Sequence, residues 1–206
     1  MTTRVVFVDN QFPEKDKIEE VVDVLRAGGI AGIPTETVFG LACNGNDKNA
    51  VKKLCGIKNR PFDKSLVIQI ADINKLLDHQ VRMTSEIKNI LSRFWPGSLT
   101  VIVDTKYGKT GFRMPDNKAT LSIIRKSDFP LVVTSANLSG EKDLLCAEDA
   151  KVVFGEKIDV VVDDGTKAKG IASTVLDCTQ IPFKILREGS IAEEIRQFLT
   201  IADEII

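Results

Sequence analysis

The stretch I-P-T-E-T-V-F-G-L-A (Ile33–Ala42), followed one helix's length later by K-N-R-P-F-D-K-S-L (Lys58–Leu66), decides how the rest of the chain is read. The apolar run Gly29–Ile33 reads as a short buried strand, and Pro34 ends it by fixing φ and removing a ladder donor. Thr35, Glu36 and Thr37 therefore leave a strand end as a cluster of small polar groups, where α/β proteins place ligand contacts. Between the two quoted segments, Ala50, Val51, Leu54 and Ile57 form a helical stripe. Asn46 or Asp47 is its expected cap. The helix has to stop by Asn59–Arg60, because a proline disfavours α geometry in the residue before it. Lys58 and Arg60 would point to nearly opposite sides of a continuing helix. Where the chain leaves the helix, both can turn towards one anionic ligand. The simpler alternative is that they complement the negative end of the helix dipole.

Further along, Val132-Val133-Thr134-Ser135-Ala136-Asn137 is a buried strand running into small hydrogen-bonding residues, with Gly140 close behind. Such a loop can bring backbone N–H groups up to a phosphate, or it can be a turn in which Asn137 and Ser139 bond their own backbone. Arg113 lies two residues before Pro115, and Arg187 ends the strand F-K-I-L. Facing a cleft, either could hold a carboxylate or phosphate in a fork; facing solvent, either could sit in a surface ion pair. Four cations (Lys58, Arg60, Arg113, Arg187) at element ends beside Thr/Ser clusters point to a polyanion site. Glu36, Asp63, Asp116, Asp163 and Asp164 could bind magnesium, or cap helices. Gly165–Gly170 imitates the start of a Walker A loop. Ile171-Ala172 stands where Lys-Ser/Thr is required, so a P-loop is excluded and a flexible loop is expected.

The composition sets bounds. The chain has 206 residues, 43% hydrophobic and 28% charged, with a net charge of −1. That suits one globular domain over 1–206, without a separate C-terminal domain, and gives no global pull towards nucleic acid. The four cysteines lack metal spacing and read as reduced thiols. No leader is seen at the N-terminus and no apolar run is long enough to span a bilayer, so a cytoplasmic protein away from membranes is expected. The single histidine, His79, sits in a polar stretch and reads as a solvated helix-end residue. Imidazole is therefore not the expected base of any enzyme built on this chain.

Helical and strand periodicities are interspersed throughout: helices at Asp16–Ala27, Asp72–Leu77, Ser85–Phe94, Ala119–Lys126, Glu148–Phe154 and Ile191–Leu199, with strands between them. Two strands are adjacent near the end. The expected fold is α/β, a twisted mixed sheet with flanking helices.

Five ordered motifs carry a resemblance. They are P-T-E-T-V-F-G-L with K-N-R-P; G-F-R-M-P (Gly111–Pro115); T-S-A-N-x-S-G (Thr134–Gly140); S-T-V-x-D (Ser173–Asp177); and L-R-x-G (Leu186–Gly189). Together they resemble the threonylcarbamoyl-AMP synthase family, named after its YrdC and Sua5 members, over almost the whole chain. The resemblance implies a YrdC-like fold and a nucleotidyltransferase that joins L-threonine, bicarbonate and ATP, releasing pyrophosphate, with magnesium accompanying the ATP. The product would serve threonylcarbamoylation of the tRNA adenosine next to the anticodon, through a downstream tRNA threonylcarbamoyl transferase, and direct contact with tRNA is also open. Carried over residue by residue, Thr35, Arg113, Thr134 and Ser173 would hold L-threonine. Lys58, Arg60, Ser135, Asn137 and Arg187 would hold ATP, with Lys58 and Arg60 also acting on the phosphates in catalysis. The chain departs from the family pattern at Phe39, Ala42, Lys64-Ser65 and Asp143–Cys146, the last replacing a hydroxyl-rich run. A non-catalytic RNA-binding module of the same fold, or a relative with another substrate, would share the resemblance.

Overall fold

Ile33 ends its strand directly before Pro34, and the polar cluster that follows turns the chain back on itself. Strand β2 (Ala31–Ile33) pairs antiparallel with β3 (Gly40–Asn44), with Ile33 opposite Gly40. The computed structural model describes residues 3–59, 66–138 and 140–203. Around that turn are β1 (Arg4–Phe7), α1 (Lys15–Arg26), α2 (Lys48–Ile57), β4 (Val67–Gln69), α3 (Lys75–Asp78) and α4 (Ser85–Phe94). The chain continues with β5 (Leu99–Thr105), β6 (Gly108–Arg113), α5 (Lys118–Lys126), β7 (Leu131–Ser135) and α6 (Ala147–Phe154). It closes with β8 (Val160–Asp163), β9 (Thr174–Asp177), β10 (Lys184–Arg187) and α7 (Ala192–Asp203). The strands form one mixed sheet in the order β1-β8-β2-β3-β7-β4-β6-β5-β9-β10. Among the described residues, no helix is long and apolar enough to cross a membrane.

The sheet has two unlike faces, and the register shows why. Val132, Ile68, Phe112, Val101 and Leu176 are successive cross-strand partners and so share a face. That face is covered by α2 and α6 over one half, through Leu54 and Phe154, and by α4 and α7 over the other, through Leu91 and Ile195. On the opposite face α1 and α5 pack Val22, Leu25, Ala119 and Ile123 onto Val6, Ile33, Val133 and Val162. The apolar cluster beneath those two helices draws on β1, β2, β3, β7 and β8. Over β4, β5, β6 and β9 the same face carries Gln69, Thr100, Arg113 and Asp177 and lines a cleft.

The strand β3 escaped the periodicity reading because Gly40, Leu41, Ala42 and Cys43 are buried on both faces and show no alternation. Asp47 is the cap of α2, its carboxylate accepting from Asn49 N at 2.8 Å and Ala50 N at 3.2 Å. The helix ends at Ile57, and Asn59 takes the left-handed conformation with φ 50°. This is a helix end made by an asparagine; Pro61, assigned the stop from sequence, lies outside the described residues.

Candidate active site

The cleft has a volume of about 470 Å³. Thr35, Arg113, Thr134 and Ser173, drawn from the whole length of the chain, all line it, and so do Ser135 and Arg187. Arg60 and Ser139 lie outside the described residues, as do Asp63, Lys64 and Ser65.

Thr35 organises the turn after β2. Its hydroxyl donates to Val38 O at 2.6 Å and receives the Thr37 and Val38 amides at 3.2 and 3.3 Å. The Thr37 hydroxyl lies 2.9 Å away. A hydroxyl has one proton, so Thr37 is the donor between the two. Glu36 points from the same turn to Arg113, with Oε1 accepting from Nη2 at 2.7 Å. The pair is buried, with side chains 7% and 14% exposed. Glu36 Oε1 also accepts from Ser98 Oγ at 3.2 Å and Oε2 from the Asp116 amide at 3.1 Å, while Arg113 Nε donates to Gly97 O at 3.2 Å. The surface ion pair open to Arg113 from sequence is thus a buried one that aims part of the guanidinium into the cleft.

On the far wall, Arg187 clasps the strand start of β9. Its Nε and Nη2 reach Ser173 O at 3.0 and 2.8 Å, and Nη2 reaches Ser173 Oγ at 3.0 Å. Thr100 Oγ1 lies 2.8 Å from Ser173 Oγ. Gly189 makes this closeness feasible: a Cβ there would stand 2.2 Å from Thr174 N and 2.5 Å from Ala172 O.

Lys58 joins two motifs that the sequence keeps far apart. It is only 3% exposed, and its ammonium donates to Ser135 O and, at 2.7 Å, to Asn137 Oδ1. Asn137 Oδ1 also accepts from Ser135 Oγ at 2.8 Å, and its Nδ2 donates to Glu141 O at 2.9 Å. Lys58 therefore braces the end of β7, which neither the dipole reading nor a ligand-facing lysine describes fully. Asn137 sits behind Ser135, and neither it nor Lys58 is part of the cleft lining given by Ser135.

His79 stands at the end of α3 as expected, but it is half-buried rather than fully solvated. It packs edge-on against Phe112 at 5.0 Å, and burial holds its pKa below the ordinary imidazole value. Phe112 belongs to the helix-covered face, so the imidazole stands away from the cleft. The Gly165–Gly170 loop is tied down rather than flexible: Ala168 N donates to Leu145 O, Lys169 N to Glu36 O and Gly170 N to Thr37 O. The acidic residues also find local work. Asp164 accepts from Asn117 Nδ2 at 2.7 Å, and Asp163 from the Gly165 amide at 3.0 Å. Among the described residues, no group of three His, Cys, Asp or Glu side chains is placed to hold a metal ion.

Three polar cleft residues were not singled out from the sequence, Gln69, Thr100 and Lys109, and Asp177 entered only as the end of the S-T-V-x-D motif. Gln69 is 6% exposed and its Oε1 has no hydrogen-bond partner among the described residues. A buried acceptor without a donor is uncommon, and this one lies in the cleft lining. A polar residue inside the otherwise apolar L-V-I-Q-I was the signal that could have found it.

The Sua5/YciO/YrdC family model, described as telomere recombination, matches residues 23–189. The threonylcarbamoyl-AMP synthase of Bacillus subtilis (strain 168) is 36% identical over 208 residues, covering 94% of this chain and 60% of that protein. A crystal structure of Pyrococcus abyssi Sua5 complexed with L-threonine superposes with a TM-score of 0.88 at 33% identity, covering 95% of this chain and 60% of the other. The structure of E. coli YciO gives 0.84 at 22% identity, with 92% and 98% covered, and speaks for the fold. The chain thus spans about 60% of the length of the B. subtilis relative. With the family model spanning the turn after β2, the Lys58 segment and both arginine motifs, the chain belongs to the Sua5/YciO/YrdC family.

Proposed function

We propose that this chain makes threonylcarbamoyl-AMP from L-threonine, bicarbonate and ATP, releasing pyrophosphate. The observation that carries the reading is convergence. Thr35, Arg113, Thr134 and Ser173 meet in one cleft, and that cleft opens onto Ser135 and Arg187. The same family includes a protein whose structure holds L-threonine.

The chemistry asks little of acid–base groups. The threonine amine forms a C–N bond with bicarbonate to give a carbamate, with loss of water. A carbamate oxygen then attacks the α-phosphorus, and the bond to the bridging oxygen of pyrophosphate breaks. What the protein supplies is alignment and neutralisation of charge. Arg113, fixed by Glu36 and Gly97 O, offers its remaining donors to the threonine carboxylate. Gln69 lies beside it in register and presents an unpaired carbonyl to a ligand N–H. Ser173 and Thr100 form a hydroxyl pair suited to the substrate hydroxyl. Arg187 and the braced end of β7 face the phosphates.

Magnesium fits this site as a cation brought in on the triphosphate oxygens, where it offsets their charge. Glu36 is engaged by Arg113, Ser98 and Asp116, and Asp177 by Thr179 and Lys109, so these carboxylates do not form a cage. The product would pass to a transferase acting on the tRNA adenosine next to the anticodon; the phosphate-binding cleft itself gives no separate indication for RNA.

The test is pyrophosphate release by purified protein with ATP, magnesium, bicarbonate and L-threonine. Release should need both threonine and bicarbonate. Release equal without threonine refutes the assignment. L-Valine, nearly the same shape, should be used at least roughly 10⁴-fold less well, because it leaves the site's hydroxyls unpaired.

A further inference from the structure

Lys109 and Asp177 line the cleft together, and the functional reading above uses neither. Lys109 Nζ donates to Asp177 Oδ2 at 3.3 Å. The two ends of the pair are held very differently. The Asp177 side chain is 12% exposed, and its Oδ1 accepts from the Thr179 hydroxyl at 2.6 Å and the Thr179 amide at 2.9 Å. Burial works to raise the Asp177 carboxyl, but the bonds from Thr179 and Lys109 outweigh it and leave the pKa below the ordinary value. The carboxylate is thus fixed and ionised. Lys109 is 55% exposed, and among the described residues its ammonium makes one long ion pair. An ion pair of that kind is weak and easily exchanged.

The sheet register fixes where the ammonium starts from. Val67 pairs with Gly111 on one side and with Val133 on the other. Two residues further along each neighbour, Lys109 and Ser135 come level, two strands apart, or roughly 10 Å. Ser135 is the end of β7 that Lys58 and Asn137 brace. Arg113 lies four residues from Lys109 on the same strand, about 13 Å along it. Lys109 therefore belongs to the Ser135 end of the cleft, away from Arg113. Its charge is offset while it is paired with the fixed carboxylate, so the ammonium attracts a polyanion at full strength once it has left that carboxylate.

We propose that Lys109 is a further polyphosphate-binding residue, and that Asp177 is its resting partner, which takes the ammonium back when pyrophosphate leaves. The ion pair weakens the cleft's hold on free pyrophosphate, because the exchange has to be made on binding and is recovered on release. The use of this device in turnover rests on the synthase reading; the exchange itself does not.

The probe is inorganic pyrophosphate, titrated calorimetrically into wild type, Lys109→Met, Asp177→Asn and the double variant. Asparagine keeps an acceptor for Thr179, and Lys109 is exposed, so the fold is retained. Lys109→Met should weaken pyrophosphate about tenfold, the loss of one charge-assisted contact. Asp177→Asn should tighten it several-fold, but only while Lys109 is present. L-Threonine affinity should not change in either variant. Unchanged pyrophosphate binding in Lys109→Met overturns the proposal. Equal tightening by Asp177→Asn in both backgrounds overturns it too, since that reports only removal of a negative charge. If the pyrophosphate pattern holds but no threonine-dependent turnover occurs, the exchange stands and the synthase reading falls.

Discussion

Glu36→Gln tests the buried pair on which the arrangement around Arg113 depends. The change keeps the volume and one acceptor, and removes the charge that balances Arg113 at 2.7 Å. Removing one partner of a buried pair costs about 3–5 kcal/mol, because the other charge is left uncompensated. The retained amide oxygen places this variant at the lower end, about 3 kcal/mol. In a chain of this size that corresponds to roughly 6–12 °C in Tm. The informative part is the ligand response. A threonine carboxylate arriving at Arg113 restores a counter-charge, so saturating L-threonine should raise the Tm of Glu36→Gln by more than it raises that of wild type. Differential scanning calorimetry with and without L-threonine reads both quantities. Glu36→Leu combined with Arg113→Met should recover much of the stability while losing the threonine response, as apolar replacement of a whole buried pair does. A ligand shift no larger in Glu36→Gln than in wild type would refute the reasoning, since Arg113 would then not be meeting a carboxylate.

Three further outcomes follow from the same geometry. Lys58→Met should weaken ATP about tenfold and also lower stability by roughly 1–3 kcal/mol, because Ser135 O and Asn137 Oδ1 lose a charged donor; calorimetric titration and chemical denaturation separate the two effects, and ATP loss without any stability change would mean that the brace is unimportant. Gly189→Ala puts a Cβ 2.2 Å from Thr174 N, so it should disturb Ser173 and Arg187 together, lower Tm and weaken threonine and ATP alike; a variant impaired for one ligand only contradicts this. Burial pushes the thiols of Cys43 and Cys178 up to about 12, against about 8.5 in an unfolded chain. Ionisation therefore favours the unfolded state: stability is full below the unfolded value and falls as pH rises from there towards 12. Urea unfolding at pH 7.5 and 10 should show that fall, and a Cys43→Ala, Cys178→Ala variant should show less of it.

What the sequence could disclose, and what it could not, divides along one physical line. Helices announced themselves because their information is local: α4 spans Ser85–Phe94, the bounds expected from its apolar stripe, and Thr84 caps it through Ile87 N at 3.4 Å. Polar groups at strand ends were legible for the same reason, so Thr35, Arg113 and Thr134 stood out locally, while Ser173 and the grouping of the four came only from the family resemblance. Partners were not legible, because a partner is set by register between segments far apart in the chain. Glu36 was an open candidate for magnesium, and only the approach of β6 to the turn after β2 makes it the counter-ion of Arg113. Lys58 was weighed between a dipole and a ligand, and only the antiparallel run of β3 on β7 brings the end of β7 within its reach. Lys109 had no local mark at all, and Asp177 was marked only as the last residue of S-T-V-x-D, with nothing to say what it pairs with. Each is an ordinary charge on an ordinary strand, and they meet because β5 pairs with both β6 and β9. Since a shift of one residue on a strand turns every side chain to the opposite face, the charge pattern of this cleft is a property of the register. A single-residue slip of β6 relative to β5 would send Arg113 and Lys109 into the apolar layer beneath α4. The apolar partners Phe112 and Val101 on that side, both fully buried, are therefore what keeps the charged face of the cleft in place.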